Sequence, residues 1–301
     1  MTHKVPAVRL LAIAVSLLVL PWRNPSAQQT AETSPDRRTI TFRGFEREYF
    51  VYLPPRFDRE KTYWLLVVMG AVNGRNNFLA NGILRAAPDN ALEAIVVSPS
   101  SPDDDLNAIR FPTLGEGEFL ADIITAMRTE YRLKPKILLT GYSRGAQFAH
   151  RFAFSHPDVV EAVAPLASGT WTTPDGRFLV EELGEMPAPH TFLAKTENAA
   201  AVPVRLRNLF EPRVAAVAGS KAKTASKNIP FLVMCGTLDP RLPIAKEFVH
   251  SLETLGYHVE VEWPRTPHMC RANSCPTVEQ AEFQKYSRKT VEFFRRVISG
   301  Q

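Results

Sequence analysis

Short apolar runs alternate with helix-length segments along most of this 301-residue chain. Two strand-like segments near residues 39–42 and 48–53 come first. Six further runs are typical of strands, and several are apolar at every position, at residues 64–69, 94–97, 137–140, 160–166, 229–235 and 259–263. Unbroken apolar runs are expected of parallel strands that are covered on both faces. Helices are predicted between them at residues 116–131, 144–155, 243–255 and 277–298. This order predicts an α/β fold in which helices flank a mostly parallel sheet.

One interval interrupts the alternation between the sixth and seventh predicted strands. Residues 172–229 stand where a single helix would normally join two neighbouring strands. Five prolines exclude one long helix from this interval, at positions 174, 187, 189, 203 and 212. Loops of this length inside a domain are usually functional or disordered. We therefore interpret residues 172–229 as an insertion over the ends of the strands.

The first 27 residues have the pattern of a secretory signal peptide. Lys4 and Arg9 precede an apolar run of eleven residues, 10–20, and the small residues Ser26 and Ala27 follow. A transmembrane helix needs about 20 apolar residues, so this run is too short to span a bilayer. We predict cleavage near Ala27, then a flexible segment at residues 28–38 and one domain at residues 39–301. An uncleaved N-terminal anchor is the alternative.

Cleavage would change the charge of the protein. The full chain has 36 basic and 31 acidic residues and a formal charge of +5. Three of the basic residues and none of the acidic ones lie in residues 1–27, which leaves 33 basic residues and a charge of +2. No basic block interleaved with aromatic residues remains to indicate a nucleic-acid partner. We expect a secreted or periplasmic protein with no stable membrane anchor after cleavage.

Residues 141–145, with the sequence Gly-Tyr-Ser-Arg-Gly, follow an apolar strand directly and begin a predicted helix. In this context G-x-S-x-G indicates a nucleophile elbow, a sharp turn from a strand into a helix. The serine occupies a strained conformation that exposes its Oγ atom. Glycine is needed two positions before and after it, because the neighbouring backbone comes very close. Ser143 is therefore the candidate nucleophile.

With this elbow the chain resembles the α/β-hydrolase superfamily over nearly all of the sequence that follows the predicted signal peptide. The most similar branch is that of the secreted polyhydroxybutyrate depolymerases, feruloyl esterases and acetyl xylan esterases. The resemblance is carried by YFVYLPPRFD at residues 49–58, GYSRGA at residues 141–146 and GTLDP at residues 236–240. It implies an α/β-hydrolase fold, to which the 172–229 insertion is added after the sixth strand. No cofactor is expected, and no His or Cys residues at ligand spacing indicate a metal.

The superfamily places its catalytic residues in the order serine, acid, histidine along the chain. Asp239 follows the seventh predicted strand, at the sheet edge where open α/β folds bind ligands. Among the seven histidines, only His268 lies after this acid in the loop between the last strand and the last helix. His150 falls on a predicted helix, where surface positions are commoner. The resemblance thus implies a triad of Ser143, His268 and Asp239.

Acyl transfer also requires hydrogen-bond donors for the oxyanion. One donor is expected to be the backbone N–H of Arg144, immediately after the nucleophile. The other is expected from the loop after the third strand, at Ala71 or alternatively at Val72. Relatives usually have His-Gly at the start of this loop, where this chain has Met69-Gly70. The change leaves a backbone donor in place but removes a side chain that often braces the loop.

Three further residues are predicted to belong to the site. Cys270 and Cys275 bracket a short loop just after His268, and in an oxidising compartment they could form a disulfide that holds this loop. Cys235, on a predicted core strand, is expected to be an inert buried thiol. Trp171 follows the sixth strand near the expected acyl pocket, where it has either a substrate-binding or a packing role.

These observations predict a secreted serine esterase that cleaves small or polymeric carboxylic esters through an acyl-enzyme. Two alternatives remain open. The first is a serine peptidase on the same fold, although such enzymes commonly carry a propeller or a large cap, and this chain has room only for the 172–229 insertion. The second is a non-catalytic binding protein, which only Met69 favours.

Overall fold

The structure is a computed structural model that describes residues 35–70, 78–86, 92–100, 116–175, 177–180, 226–268 and 276–300. Its strands are β1 (Asp36–Phe42), β2 (Phe45–Tyr52), β3 (Tyr63–Met69), β4 (Ala94–Pro99), β5 (Leu133–Tyr142), β6 (Val160–Leu166), β7 (Thr170–Thr172), β8 (Phe178–Val180), β9 (Phe231–Met234) and β10 (Val259–Glu262). Its α-helices are α1 (Phe78–Ala86), α2 (Glu116–Glu130), α3 (Arg144–Ser155), α4 (Leu242–Thr254) and α5 (Thr277–Ser299). A short 3₁₀ helix occupies Ser226–Asn228.

Eight of the strands form one sheet in the order β1-β2-β4-β3-β5-β6-β9-β10. The pairs β1–β2 and β2–β4 are antiparallel, and every other pair is parallel. The carboxyl ends of β3, β5, β9 and β10 therefore meet at one edge of the sheet. The predicted α/β class, with a mostly parallel sheet flanked by helices, is confirmed.

The central strands are buried on both faces, which explains their continuous apolar sequence. In β3, Leu65 and Val67 belong to a core with side chains of α2, α3 and α4, whereas Leu66 and Val68 belong to a second core with side chains of α1 and α5. Successive side chains of a strand point to opposite faces, so each face needs its own apolar set. The helices thus cover the sheet as two outer layers.

The N-terminal boundary differs from the prediction. Strand β1 begins at Asp36, so the last three residues of the predicted flexible segment 28–38 belong to the sheet. Asp36 pairs with Val51 of β2, and Arg38 forms an ion pair with Glu130 of α2. Charged side chains hold this end of the strand, so hydrophobic periodicity does not reveal it. The predicted signal peptide at residues 1–27 lies outside the described residues.

Two elements were not expected from the sequence. Helix α1 lies between β3 and β4, and the β7–β8 hairpin forms a small antiparallel sheet of its own. The hairpin includes the first part of the predicted insertion, whereas residues 181–225 lie outside the described ones. No helix in the described part of the chain is long and apolar enough to cross a membrane.

Candidate active site

Ser143 forms the turn between β5 and α3. Its backbone has φ 55° and ψ −108°, in the left-handed half of conformational space that side chains rarely occupy. Such a conformation costs roughly 1–3 kcal/mol and persists only when the surroundings hold it. The N–H of Ser143 donates to the carbonyl of Leu166 at 2.9 Å, and its carbonyl accepts from the N–H of Gln147 at 3.1 Å. These two bonds hold the serine in the elbow.

The two glycines of the elbow have no room for a side chain. A Cβ atom on Gly141 would lie 2.3 Å from the carbonyl carbon of Gly145. A Cβ atom on Gly145 would lie 2.3 Å from the carbonyl oxygen of Met69 and 2.7 Å from that of Gly70. The first turn of α3 therefore packs directly on the end of β3, where the predicted oxyanion loop begins.

Ser143, His268 and Asp239, the candidate triad, lie within hydrogen-bond reach of one another. His268 Nδ1 is 2.7 Å from Asp239 Oδ2, and His268 Nε2 is 3.2 Å from Ser143 Oγ. An ionised carboxylate can only accept, so Nδ1 carries the proton of the neutral ring. Nε2 is then free to accept the proton of the serine hydroxyl. This geometry can supply a nucleophile, a base and an orienting acid, the three groups that acyl transfer requires.

Asp239 is buried yet ionised. Burial by itself would raise the pKa of this carboxyl, but hydrogen bonding and charge attraction from His268 and Arg241 outweigh it and lower the pKa. The backbone N–H of Arg241 donates to Asp239 Oδ1 at 3.0 Å, and its Nη1 lies 3.4 Å from the same oxygen. Each carboxylate oxygen therefore has its own donor, and the acid is fixed in orientation.

The turn that carries the acid is bonded to the loop that carries the base. Thr237 N–H donates to the carbonyl of Pro264 at 2.8 Å, and Leu238 N–H donates to that of Thr266 at 3.2 Å. A Cβ atom on Gly236 would lie 1.8 Å from the Thr266 oxygen, so glycine is required for this close approach. These contacts join the two segments next to the Nδ1–Oδ2 hydrogen bond.

Aromatic rings from β5 and α5 form one wall beside the histidine. The ring of Tyr142 lies 5.5 Å from that of His268, and Phe283 and Tyr286 pack edge-on against Tyr142. Burial raises the pKa of both tyrosine hydroxyls above the ordinary value, so they stay neutral. This wall was not expected from the sequence, although Tyr142 is the residue just before Ser143.

Other predicted site residues have different outcomes. Trp171 is fully buried in the core, where its ring stacks on Phe248 at 4.4 Å and lies 5.1 Å from that of His150. This is the placement of a packing residue, and it does not support the substrate-binding role. Ala71, the expected second oxyanion donor, and Cys270 and Cys275, the expected disulfide, lie outside the described residues. Cys235 is a buried free thiol whose pKa is raised by burial.

The expectation that His150 lies at the surface is wrong. The ring is fully buried, its Nδ1–H donates to the carbonyl of Ala146 at 2.7 Å, and its Nε2 accepts from the N–H of Thr172 at 3.0 Å. Burial and the nearby charge of Arg151 hold its pKa well below the ordinary value. Both ring nitrogens are satisfied in the neutral form, so this histidine joins the nucleophile helix to β7.

The same helix face holds a buried cation. Arg151 donates to the hydroxyls of Thr172 and Thr170 at 2.9 Å each, and to the carbonyl of Gln147 at 3.2 Å. Thr170 in turn donates to Gln147 Oε1 at 2.9 Å. The network joins β7, at the start of the predicted insertion, to α3 about one turn (Gln147) and two turns (Arg151) beyond Ser143. Among the described residues, no three His, Cys, Asp or Glu side chains are grouped to hold a metal.

Comparisons with known proteins agree with this topology. No protein-family model and no curated protein matches the sequence. Among solved structures, a ferulic acid esterase is similar with a TM-score of 0.63 at 17% identity, over 88% of this chain and 98% of that one. An S-formylglutathione hydrolase from Staphylococcus aureus has a TM-score of 0.58 at 14% identity, over 87% of this chain and 96% of that one.

A third similar structure is the acylaminoacyl peptidase of Pyrococcus horikoshii, with a TM-score of 0.57 at 14% identity, over 87% of this chain but only 41% of the peptidase. Identities this low establish architecture alone, since one fold hosts many activities. The strand order, the strained elbow between β5 and α3, and these similarities lead to one conclusion. The chain has the fold of the α/β-hydrolase superfamily.

Proposed function

We propose that this protein is a serine hydrolase that cleaves carboxylic esters. One observation carries the proposal: His268 lies 3.2 Å from the Ser143 hydroxyl on one side and 2.7 Å from the Asp239 carboxylate on the other. A serine hydroxyl is a weak nucleophile until an adjacent base removes its proton. The strained elbow holds Ser143 where this base can reach it, and the strain favours a functional role over an ordinary turn.

In the first step, Ser143 Oγ attacks the carbonyl carbon of the ester, and its proton moves to His268 Nε2. The carbonyl oxygen becomes an oxyanion that the backbone N–H of Arg144, and in our proposal that of Ala71, would stabilise. Each such donor is worth roughly 3–4 kcal/mol of barrier. Asp239 stabilises the imidazolium through Nδ1–H. The bond to the alcohol oxygen then breaks, and the proton on Nε2 passes to that oxygen.

The second step repeats the chemistry with water. His268 Nε2 takes a proton from water, whose oxygen attacks the acyl carbon of the acyl-enzyme. The bond from this carbon to Ser143 Oγ then breaks, and His268 returns the proton to the serine. The products are the alcohol and the carboxylic acid, and no metal or cofactor takes part in either step.

Esters are favoured over peptides by the extent of the structural similarities. The ferulic acid esterase and the S-formylglutathione hydrolase match this chain over nearly their whole length. The acylaminoacyl peptidase is matched over 41% of its length, so most of that protein has no counterpart here. We therefore expect oxygen esters and thioesters to be better substrates than amides.

The proposal is tested with short-chain p-nitrophenyl esters. Ser143→Ala should lower the rate by at least about 10³-fold. Ser299→Ala is the matched control, because Ser299 is exposed and its hydroxyl only donates to the carbonyl of Arg296. Absence of hydrolysis by the wild-type protein, or an unaffected Ser143→Ala variant, would contradict the proposal. Faster cleavage of matched p-nitroanilides would favour the peptidase.

We further propose that the enzyme acts outside the cytoplasm. The support is the basic, apolar and small-residue pattern of residues 1–27. N-terminal sequencing of the exported protein should then begin near Gln28. An exported protein that still starts at Met1 would instead indicate the uncleaved anchor.

A further inference from the structure

Arg144 follows the candidate nucleophile and begins α3. Its side chain is half-buried, and its Nη1 atom is fully buried with no hydrogen-bond partner in the described part of the chain. Burial lowers the pKa of its guanidinium, which nevertheless stays charged because the ordinary value is so high. Leaving a charged donor desolvated and unpaired costs free energy, so such groups in native structures call for an explanation.

The other buried or half-buried arginines near the site are satisfied. Arg151, on the same helix, is fully buried and donates to three acceptors. Arg241 faces the carboxylate of Asp239, whose charge it offsets. Arg144 has no ion pair of this kind among the described residues, so no described carboxylate offsets its positive charge next to Ser143.

The backbone around Arg144 also favours negative charge. Helix α3 has twelve residues, and its N-terminus, which carries the positive end of the helix dipole, lies at Arg144. The first turn of α3 contains no acidic residue that would neutralise this end. The charge of Arg144 and the helix dipole therefore have the same sign at the start of α3, next to Ser143.

We propose that the Arg144 side chain binds an anionic group of the substrate, so that the preferred esters carry a carboxylate in the acyl or the alcohol part. This inference rests on the proposed ester hydrolysis. A carboxylate matches the planar guanidinium fork, and a turn of the half-buried side chain toward the substrate would give Nη1–H the acceptor that it lacks. The backbone N–H of Arg144 would meanwhile remain available to the transient oxyanion, because side chain and backbone donors are separate groups.

Rigid substrate pairs that differ only by carboxylate and carboxamide test the inference. Monomethyl terephthalate and methyl 4-carbamoylbenzoate place the charge in the acyl part. The pair 4-acetoxybenzoate and 4-acetoxybenzamide places it in the alcohol part. The measured quantity is the kcat/KM of the anionic ester divided by that of its neutral partner. In Arg144→Met this ratio should fall at least about tenfold for one pair. Arg144→Lys should keep part of the preference, since it retains the charge but not the fork.

Arg265→Met is the matched control. Arg265 also lies near His268 and carries a positive charge, but its side chain is 63% exposed and paired with Glu279. Its removal should change the ratio by less than about twofold, because exposed charges are screened by salt. An equal fall in both variants would mean that the general field of the site, and not Arg144, selects anions.

The outcomes separate this inference from the proposed function. If neutral esters are hydrolysed in a Ser143-dependent way but Arg144→Met leaves both ratios unchanged, anion binding by Arg144 is wrong and the esterase proposal stands. If no ester is hydrolysed, both fail. An inhibition assay on the wild-type protein tests the inference even if the Arg144 variants do not fold. Benzoate should inhibit the hydrolysis of p-nitrophenyl acetate more strongly than benzamide does, and equal inhibition would refute anion binding.

Discussion

Gly236→Ala should displace the base without touching any residue of the candidate triad. Gly236 begins the turn after β9 that leads to Asp239. An added Cβ atom would lie 1.8 Å from the carbonyl oxygen of Thr266 and 2.8 Å from its carbon. Since real Cβ contacts shorter than 3.0 Å are essentially never seen, the Thr266 oxygen must move by about 1.2 Å. This oxygen is a backbone atom two residues before His268, so it cannot rotate away as a side-chain atom would.

The size of the effect follows from this displacement. The same Thr266 oxygen accepts the Leu238 N–H at 3.2 Å, so the shift weakens the bond that joins the acid turn to the base loop. His268 then moves relative to both Ser143 and Asp239. A misplacement of about 1 Å can cost about 10²-fold in rate, and we expect kcat/KM to fall by about this factor. Overpacking should also lower the free energy of unfolding by about 1–3 kcal/mol.

The assay pairs p-nitrophenyl acetate kinetics with thermal unfolding. Gly256→Ala is the matched control, because Gly256 has φ 79° and open space around its Cβ position. This control should lose about 1–2 kcal/mol of stability from backbone strain and keep its activity. If Gly236→Ala is folded and keeps its activity within about threefold of the wild type, the close packing of the two loops does not set the position of His268. That result would refute the prediction.

Three further predictions concern charge and covalent structure. Asp239→Asn should lower kcat about 10⁴-fold, because the amide favours the wrong tautomer of His268; a loss below about tenfold in steady-state hydrolysis would contradict an ionised acid. Below about pH 6.5, the free energy of unfolding should fall by up to about 1.4 kcal/mol per pH unit, because His150 binds a proton in the unfolded chain but not in the buried, folded state. The fall should end once the pH reaches the lowered pKa of His150 in the folded protein. In denaturant titrations between about pH 7 and pH 5, the free energy of unfolding of His150→Gln should be lower and should depend less on pH than that of the wild type. An unchanged dependence on pH would exclude this ring as the source. Thiol titration of the unreduced, denatured protein should find one of the three cysteines free, since Cys270 and Cys275 are predicted to pair; three free thiols would refute the disulfide.

The elbow could be predicted from sequence because its residues occupy five consecutive positions. Gly141 is required by a contact inside the turn, with Gly145, whereas Gly145 is required by the end of β3. His150 was misplaced because its burial is a tertiary property. Gln147, His150 and Arg151 lie on one side of α3, and a polar side of this kind is typical of a helix face in contact with solvent. In the structure this side bonds to β7, and every residue from Gly145 to Phe154 is buried.

The base loop shows why chain order alone does not describe the site. Strand β10 lies three strands from β5 in the sheet, which corresponds to about 14 Å at the usual strand spacing. The histidine must therefore return across the sheet edge after Glu262, the last residue of β10, and it does so by passing over the acid turn of β9. The bonds from Thr237 and Leu238 hold that return path. Order along the chain predicts which residues meet, but the order of the strands in the sheet sets the distance that each loop must cover. The contact at Gly236 exists because the longer loop, which carries His268, has to cross the shorter turn, which carries Asp239.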